Sequence, residues 1–438
     1  MRLLRQVVAV LAMSCAVVPG WASTLTEHQA VAYALENSGS LELAATDLAM
    51  QARSDRYGWN GLLPTVQATA TLNRNNAVPA SLSGLYQNPY VSFVGGISAS
   101  WNFNPALITN IELSHKQYEA GMISYEQQRQ QTIRDVRKMF YGLLLQQMSI
   151  DLQRESLDMT KARLDQAQEN FQAGYVPELT VLQARTIYDN AVASLLKQEQ
   201  AFLQQKRTFA MLLGMPVDET YSLDGDISTD FFEIDSASLL SSLDGRFDIS
   251  SLAKQAEVLK VQEKALRQQI NVPTLSLSAS YQPVVMDVSK DWGGTIAPTV
   301  KNYSDNGGVS VTVAMNLTNF LPASSARQGL QDVRENISKL ALSGYVLRQN
   351  ATVEILNLIA SLEQSRLAIE NSDRSIELAR KVYDLTEQSY RYGATELLDV
   401  RDAQMQLDQA KLGKLSEQYT YLSALLDLEY AIQRSIIE

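Results

Sequence analysis

Six apolar residues recur at intervals of seven in the first half of the chain: Val136, Leu143, Ile150, Leu157, Leu164 and Phe171. A set 219 residues further on repeats them as Ile355, Leu362, Ile369, Ile376, Tyr383 and Tyr390. Each series is followed by a glycine, Gly174 or Gly393, and then by a second series, Val181, Tyr188, Leu195, Phe202 and Phe209 against Val400, Leu407, Lys414, Tyr421 and Leu428. A seven-residue period keeps one seam on the same face of a long, slightly supercoiled helix, so neighbouring helices can pack side by side along its length. The chain therefore reads as a tandem duplication of a very long helical hairpin. The outgoing helices are expected to start near Ala106 and Ala323, just past Pro105 and Pro322, and to reach Phe171 and Tyr390. Roughly 65 residues at about 1.5 Å each cover close to 100 Å, more than a globular domain needs. The return helices, over residues 177–213 and 397–437, are shorter, so the helix before the first strand of each half is expected to stack on them.

Both halves share one order of elements. A helical stretch, residues 30–57 or 249–270, ends before Pro64 or Pro273, which suits a change from helix to extended chain. Strands with clean alternation follow. Val66, Ala68, Ala70 and Leu72 alternate with Thr65, Gln67, Thr69, Thr71 and Asn73, and Ile97, Ala99, Trp101 and Phe103 alternate with Ser98, Ser100, Asn102 and Asn104. In the second half Leu275, Leu277, Ala279 and Tyr281, then Val309, Val311, Val313, Met315 and Leu317, oppose Ser276, Ser278, Ser280, Ser310, Thr312 and Asn316. Period two, with one apolar and one small polar face, describes a sheet between two different solvents. A half-buried sheet in a soluble domain gives the same alternation. The near absence of charge on the polar faces and the aromatic pair Trp101 and Phe103 at a strand end favour a wet barrel lumen and a membrane-interface girdle facing lipid. Polar loops, residues 75–90 and 282–308, suit an extracellular surface. Four strands cannot close a barrel, and lipid does not tolerate open edges. Two copies would leave a bore that side chains fill, whereas three leave a passage.

Residues 1–22 carry Arg2 and Arg5, an apolar run from Val7 to Val18, then Pro19, Gly20, Trp21 and Ala22, and read as a signal peptide cleaved after Ala22. The run is too short for a spanning helix, which needs about 20 residues. Cys15, the only cysteine, lies inside this segment; a lipoprotein reading would acylate it, although Leu11, Ala12, Met13 and Ser14 do not set leucine at the usual place. Without Cys15 the exported chain has no disulfide. The sequence thus divides into a signal peptide (1–22), a first repeat (23–214), a connector rich in Asp (215–248) and a second repeat (249–438).

The formal net charge of −11 argues against nucleic acid as a partner, since phosphate binding wants a basic surface. Only His28 and His115 are histidines, and neither has a cysteine or second histidine nearby, so a histidine-based zinc site or a Ser/His/Asp triad is poorly supplied. No phosphate-binding glycine loop of the Walker type is present. The sequence therefore implies no cofactor, no metal and no enzyme.

The element order and the hairpin sequences resemble the TolC family of outer-membrane efflux and secretion channels. The turns that carry the likeness are Phe171-Gln-Ala-Gly174-Tyr-Val-Pro-Glu-Leu179-Thr-Val181-Leu-Gln-Ala184 and Tyr390-Arg391-Tyr392-Gly393-Ala-Thr-Glu-Leu-Leu398-Asp399-Val400-Arg401-Asp402-Ala403. The resemblance covers essentially the whole chain after the signal peptide. It implies a mainly α fold with a small membrane β-barrel: a homotrimer with a twelve-stranded barrel in outer-membrane lipid, continued by a helical barrel in the periplasm. Its partners would be a periplasmic adaptor protein and an inner-membrane pump, in an efflux or type I secretion system. By residue match it implies an aperture at Asp399 and Asp402, with Tyr390 at a gating position, and adaptor-docking tips at Phe171, Gly174, Arg391, Tyr392 and Gly393. Asp399 and Asp402 lie three apart, hence on one helix face. The chain departs from the family where a cation often follows the second tip glycine: Thr395 stands there, which puts a tyrosine-centred closing network in doubt. Thr180 replaces an acidic residue of some members. The rival class is a periplasmic coiled-coil scaffold or adhesin stalk, which a carbonate wash would release from membranes.

Overall fold

The apolar seam at seven-residue spacing does produce two outgoing helices of equal length, and each return helix also matches its counterpart. In a computed structural model the described residues are 23–74, 91–218, 220–227, 230–232, 236–241, 243–287, 303–305, 307–434 and 436. The expected signal peptide with Cys15, the whole of loop 75–90 and the centre of loop 282–308 lie outside them. Along the chain run β1 (Ser23–Leu25), α1 (Glu27–Asn37), α2 (Gly39–Arg56), β2 (Thr65–Arg74), β3 (Val91–Phe103), α3 (Ala106–Gln172) and α4 (Glu178–Leu213). There follow β4 (Tyr221–Leu223), α5 (Ser236–Ser241), α6 (Phe247–Asn271), β5 (Thr274–Tyr281), β6 (Pro283–Asp287), β7 (Tyr303–Asp305), β8 (Gly308–Ala314), α7 (Ser325–Arg391) and α8 (Leu397–Ile432). α3 and α7 each have 67 residues, α4 and α8 each have 36.

The chain forms two compact units, and each draws on both repeats. One holds residues up to Ala44, Glu126–Arg246 and everything from Gln349 on; the other holds Ala45–Tyr125 and Phe247–Arg348.

The helical unit is cored by the predicted seam. Val136, Leu143 and Ile150 on α3, and Ile355, Leu362 and Ile369 on α7, are all buried, as are Phe209 on α4 and Val400, Leu407, Tyr421 and Leu428 on α8. Removing such side chains from water is worth about 1.5–3 kcal/mol each. Lys414, the one charged residue in the series, is half-buried and pairs with Asp373 on α7 at 2.6 Å. The expected single helix over residues 30–57 is broken at Ser38, whose extended backbone (ψ 120°) ends α1 while its carbonyl receives Leu41 and Glu42 N–H at the start of α2. Ser-Gly-Ser is a poor helix interior, and the break lets Ala30 and Ala34 pack on Phe209, Ala210 and Leu213. Gly214 caps α4 at φ +79°, with Asn37 O only 2.0 Å from where a Cβ would sit.

β1 and β4 form a small parallel pair that the sequence did not announce, Ser23 opposite Tyr221 and Leu25 opposite Leu223. The Tyr221 hydroxyl donates to Lys206 O at 2.6 Å, and the Lys206 ammonium returns a bond to Tyr221 O while lying over its ring. Burial lowers the Lys206 pKa and raises that of Tyr221 to about 12. Arg137 on α3 ties together Glu27 of α1 and Glu429 of α8.

The other unit contains one antiparallel sheet. β2 pairs with β3 from Thr65↔Ser100 to Arg74↔Val91. β5 and β6 both lie on the other side of β3 and keep one register across Gln282, Ile97↔Tyr281 leading to Val94↔Val284. β8 and β7 continue likewise, Ser280↔Gly308 leading to Pro283↔Asp305. The six segments are thus four strands, each of the last two interrupted beside Pro283, which has no N–H to give the ladder. The expected loop over 282–308 is therefore partly strand. The last strand ends earlier than expected, at Ala314, because Leu317–Phe320 forms a 3-10 turn capped by the Asn316 side chain on Thr318 N–H.

Candidate functional site

Three places carry the expected functional residues: the two helix turns and the start of α8 in the helical unit, and the sheet faces in the other.

Both turns end their helices the same way. Gly174 has φ +78° and Gly393 φ +75°. Gly174 N–H bonds Phe171 O and Tyr175 N–H bonds Asn170 O; Gly393 N–H bonds Tyr390 O and Ala394 N–H bonds Ser389 O. This paired closure needs a left-handed residue, which glycine adopts without strain. Around the turns Tyr175 (81 %) and Tyr392 (88 %) stand in solvent, with Phe171, Leu179 and Leu398 also exposed. Arg391 pairs with Glu387 at 2.9 Å. Tyr390 is half-buried, packed with Val181 and Tyr188 against the buried cluster Leu164, Ala167, Ala184 and Leu397.

At the start of α8, Asp399 and Asp402 are both exposed. They are not equivalent. Asp399 Oδ2 accepts Glu396 N–H at 3.1 Å, half of a reciprocal capping box that closes the helix N-terminus. Asp402 Oδ1 receives Arg401 through Nη2 at 3.0 Å and Nε at 3.1 Å. Sequence reasoning passed over Arg401, because a neighbouring opposite charge on a helix reads as an ordinary solvated face. It also missed the contact of Arg163 on α3 with Tyr383 on α7, where the guanidinium donates to the hydroxyl at 2.9 Å and lies 5.7 Å from the ring centre. The same seam holds a polar patch: Gln404, buried, donates to Ser156 Oγ at 2.9 Å, and Asp408 nearby is pushed above the usual carboxylate range by burial, against the pull of Ser156, Lys411 and Arg163.

In the sheet, register puts Val66, Ala68, Ala70 and Leu72 on one face with Ile97, Ala99, Trp101, Phe103, Leu275, Leu277, Val309, Val311 and Val313. That apolar face is open: Val309 is 75 % exposed, Val311 and Val313 68 %. The opposite face carries Gln67, Thr69, Thr71, Ser98, Ser100, Asn102 and the serines of β5 and β8, linked by Ser276 to Asn102 at 2.6 Å and Ser278 to Ser310 at 2.7 Å. Trp101 shares the apolar face as expected and is stacked on Phe103 at 5.6 Å. It is half-buried, because its indole N–H donates to Leu62 O at 2.8 Å in the turn before β2. Among the described residues no group of His, Cys, Asp and Glu could hold a metal ion, and no helix is long and apolar enough to cross a membrane.

The sequence profile of the outer membrane efflux protein family matches twice, over residues 32–215 and 241–432. Nodulation protein T of Rhizobium leguminosarum bv. trifolii is 22 % identical over 383 residues, 82 % of this chain and 76 % of that protein. Among solved structures the fold is similar to the Campylobacter jejuni CmeC outer membrane channel (TM-score 0.76, 18 % identity, 93 % of this chain and 85 % of that one). It is also similar to the Vibrio cholerae outer membrane protein VceC (0.73, 15 %, 93 % and 96 %) and to the open state of the Neisseria gonorrhoeae MtrE outer membrane channel (0.71, 18 %, 96 % and 93 %). With the profile matched across both repeats, the chain belongs to the outer membrane efflux protein family and is an outer-membrane efflux channel that extends into the periplasm.

Proposed function

We propose that the chain is the passive conduit of a tripartite efflux or secretion system, assembled from three copies. One observation carries this reading: a four-strand sheet with an open apolar face, an uncharged polar face and, among the described residues, no strand partner on the outer edges of β2 and β8. Backbone groups on such edges find no partner in hydrocarbon, so other copies must supply them. Three copies give about twelve strands and a bore wide enough for passage. The driving energy comes from an inner-membrane pump reached through a periplasmic adaptor that reads the turns at Gly174 and Gly393. Asp399 and Asp402 line the periplasmic aperture, with Tyr390 packed behind them. Residues 1–22 serve as the export signal.

Mass measurement of the full chain in detergent, with a cross-linking ladder, tests the assembly. A trimer is expected. A stable monomer or dimer in extracted outer membranes overturns it, and release by carbonate would point to a peripheral scaffold instead.

A further inference from the structure

We propose that Arg401 sets the ionic selectivity of the conduit by offsetting Asp402, so that of the two aspartates only Asp399 presents an uncompensated carboxylate. The inference rests on the aperture reading above. Residues one apart on a helix do not ordinarily face each other, yet two nitrogens of Arg401 meet one oxygen of Asp402, at 3.0 and 3.1 Å. The arginine is also held there: it is half-buried and shares a small cavity with Leu397 of its own helix, Thr160 of α3 and Ala184 of α4. Arg163, the other guanidinium at that cavity, is engaged with Tyr383. Asp399 differs, since among the described residues no lysine or arginine lies within ion-pair distance, and its partner is a neutral amide.

An exposed ion pair adds little to stability. Selectivity depends on something else, the net charge within a Debye length of the permeating ion, about 8 Å at physiological salt. Arg401 lies well inside that distance whether or not its bond to Asp402 is intact at a given moment. With Glu396, which shares a capping box with Asp399, each protomer therefore brings a net charge of about −2 at the start of α8, where its three carboxylates alone would bring about −3. The sheet's polar face, made of Ser, Thr, Asn and Gln at the positions named above, adds no charge of its own. An aperture of this kind repels anionic small molecules less than an unrelieved ring of carboxylates would.

Reversal potentials of the reconstituted full chain in a KCl gradient, with hexaamminecobalt(III) as blocker, test this. Arg401→Gln should raise the K⁺ to Cl⁻ permeability ratio several-fold and tighten the block. Asp402→Asn should move the ratio the other way, and Arg401→Lys should leave it unchanged. Asp399→Asn with Asp402→Asn should lose cation preference. If that double variant loses it while Arg401→Gln matches wild type, the aspartates line the aperture but Arg401 does not offset them, and the inference falls. If the double variant also matches wild type, the aperture reading itself falls and takes the inference with it. Migration as the same heat-sensitive oligomer shows that each variant has assembled.

Discussion

Three glycines with left-handed backbones do two different jobs. At Gly174 and Gly393 nothing lies within 4 Å of an added Cβ, so only the backbone angle excludes a side chain. At Gly214 the Asn37 carbonyl is in the way as well. A left-handed non-glycine residue costs roughly 1–2 kcal/mol. Gly174→Val and Gly393→Val should therefore leave the proposed oligomer intact and weaken cross-linking to the proposed adaptor, because the turn is what changes. Gly214→Ala should lower the thermal midpoint of the helical part by more than either, since α1 must move off α4. A second residue-scale prediction concerns pH. The folded pKa of Asp408 is raised, chiefly by burial. Its carboxylate form is thus disfavoured by folding, and the penalty is full above the folded pKa and disappears as pH falls below the unfolded value near 3.9. Asp408→Asn should raise the thermal midpoint at neutral pH, keep the contact with Ser156, and converge with wild type in acid.

The elements show where sequence was a good guide. Seam and strand faces are periodic, and periodicity survives into three dimensions: α3, α7 and the four strands lie close to where the pattern put them. The break at Ser38 was visible as Asn-Ser-Gly-Ser but lost to the apolar spacing on either side of it. The β1 and β4 pair was not visible, since three residues carry no period and their partners are distant in sequence. α8 ends at Ile432 and not at 437, because Gln433 turns left-handed at φ 55°. The Asp399 and Asp402 pair was legible as a matched motif, but its inequality was not, because it depends on where Arg401 and Glu396 point. The two sheet faces give the clearest test at this scale. A charge facing lipid near the midplane costs about 2–4 kcal/mol, whereas a lumen substitution tunes conduction. Val311→Arg should sharply reduce folded oligomer in the outer membrane; Ser310→Arg, one residue away on the opposite face, should assemble and shift conductance. Equal loss in both would contradict the facing assigned to β8. Trp101, on the same apolar face, should be quenched by brominated lipid.

For the whole molecule, the edges of β2 and β8, which have no outer strand partner among the described residues, should couple folding to association in the proposed assembly. A lone chain has no stable way to keep its sheet in hydrocarbon, so the sheet and the oligomer should be lost together on heating in detergent: circular dichroism and gel mobility should give one midpoint that rises with protein concentration. Two separate midpoints would mean that the sheet stands alone. The register that β5 and β6 keep against β3 across Gln282 has a consequence for the proposed barrel. The third strand, β5 with β6, runs from Thr274 to Asp287, and β3 has 13 residues, whereas a tilted strand crosses the apolar layer in about 9–11. Past Gln282 the strand stays paired, Val284–Asp287 against Val91–Val94 of β3. In the barrel proposed above, these two strands would carry the wall a few ångströms past the apolar layer as a paired rim.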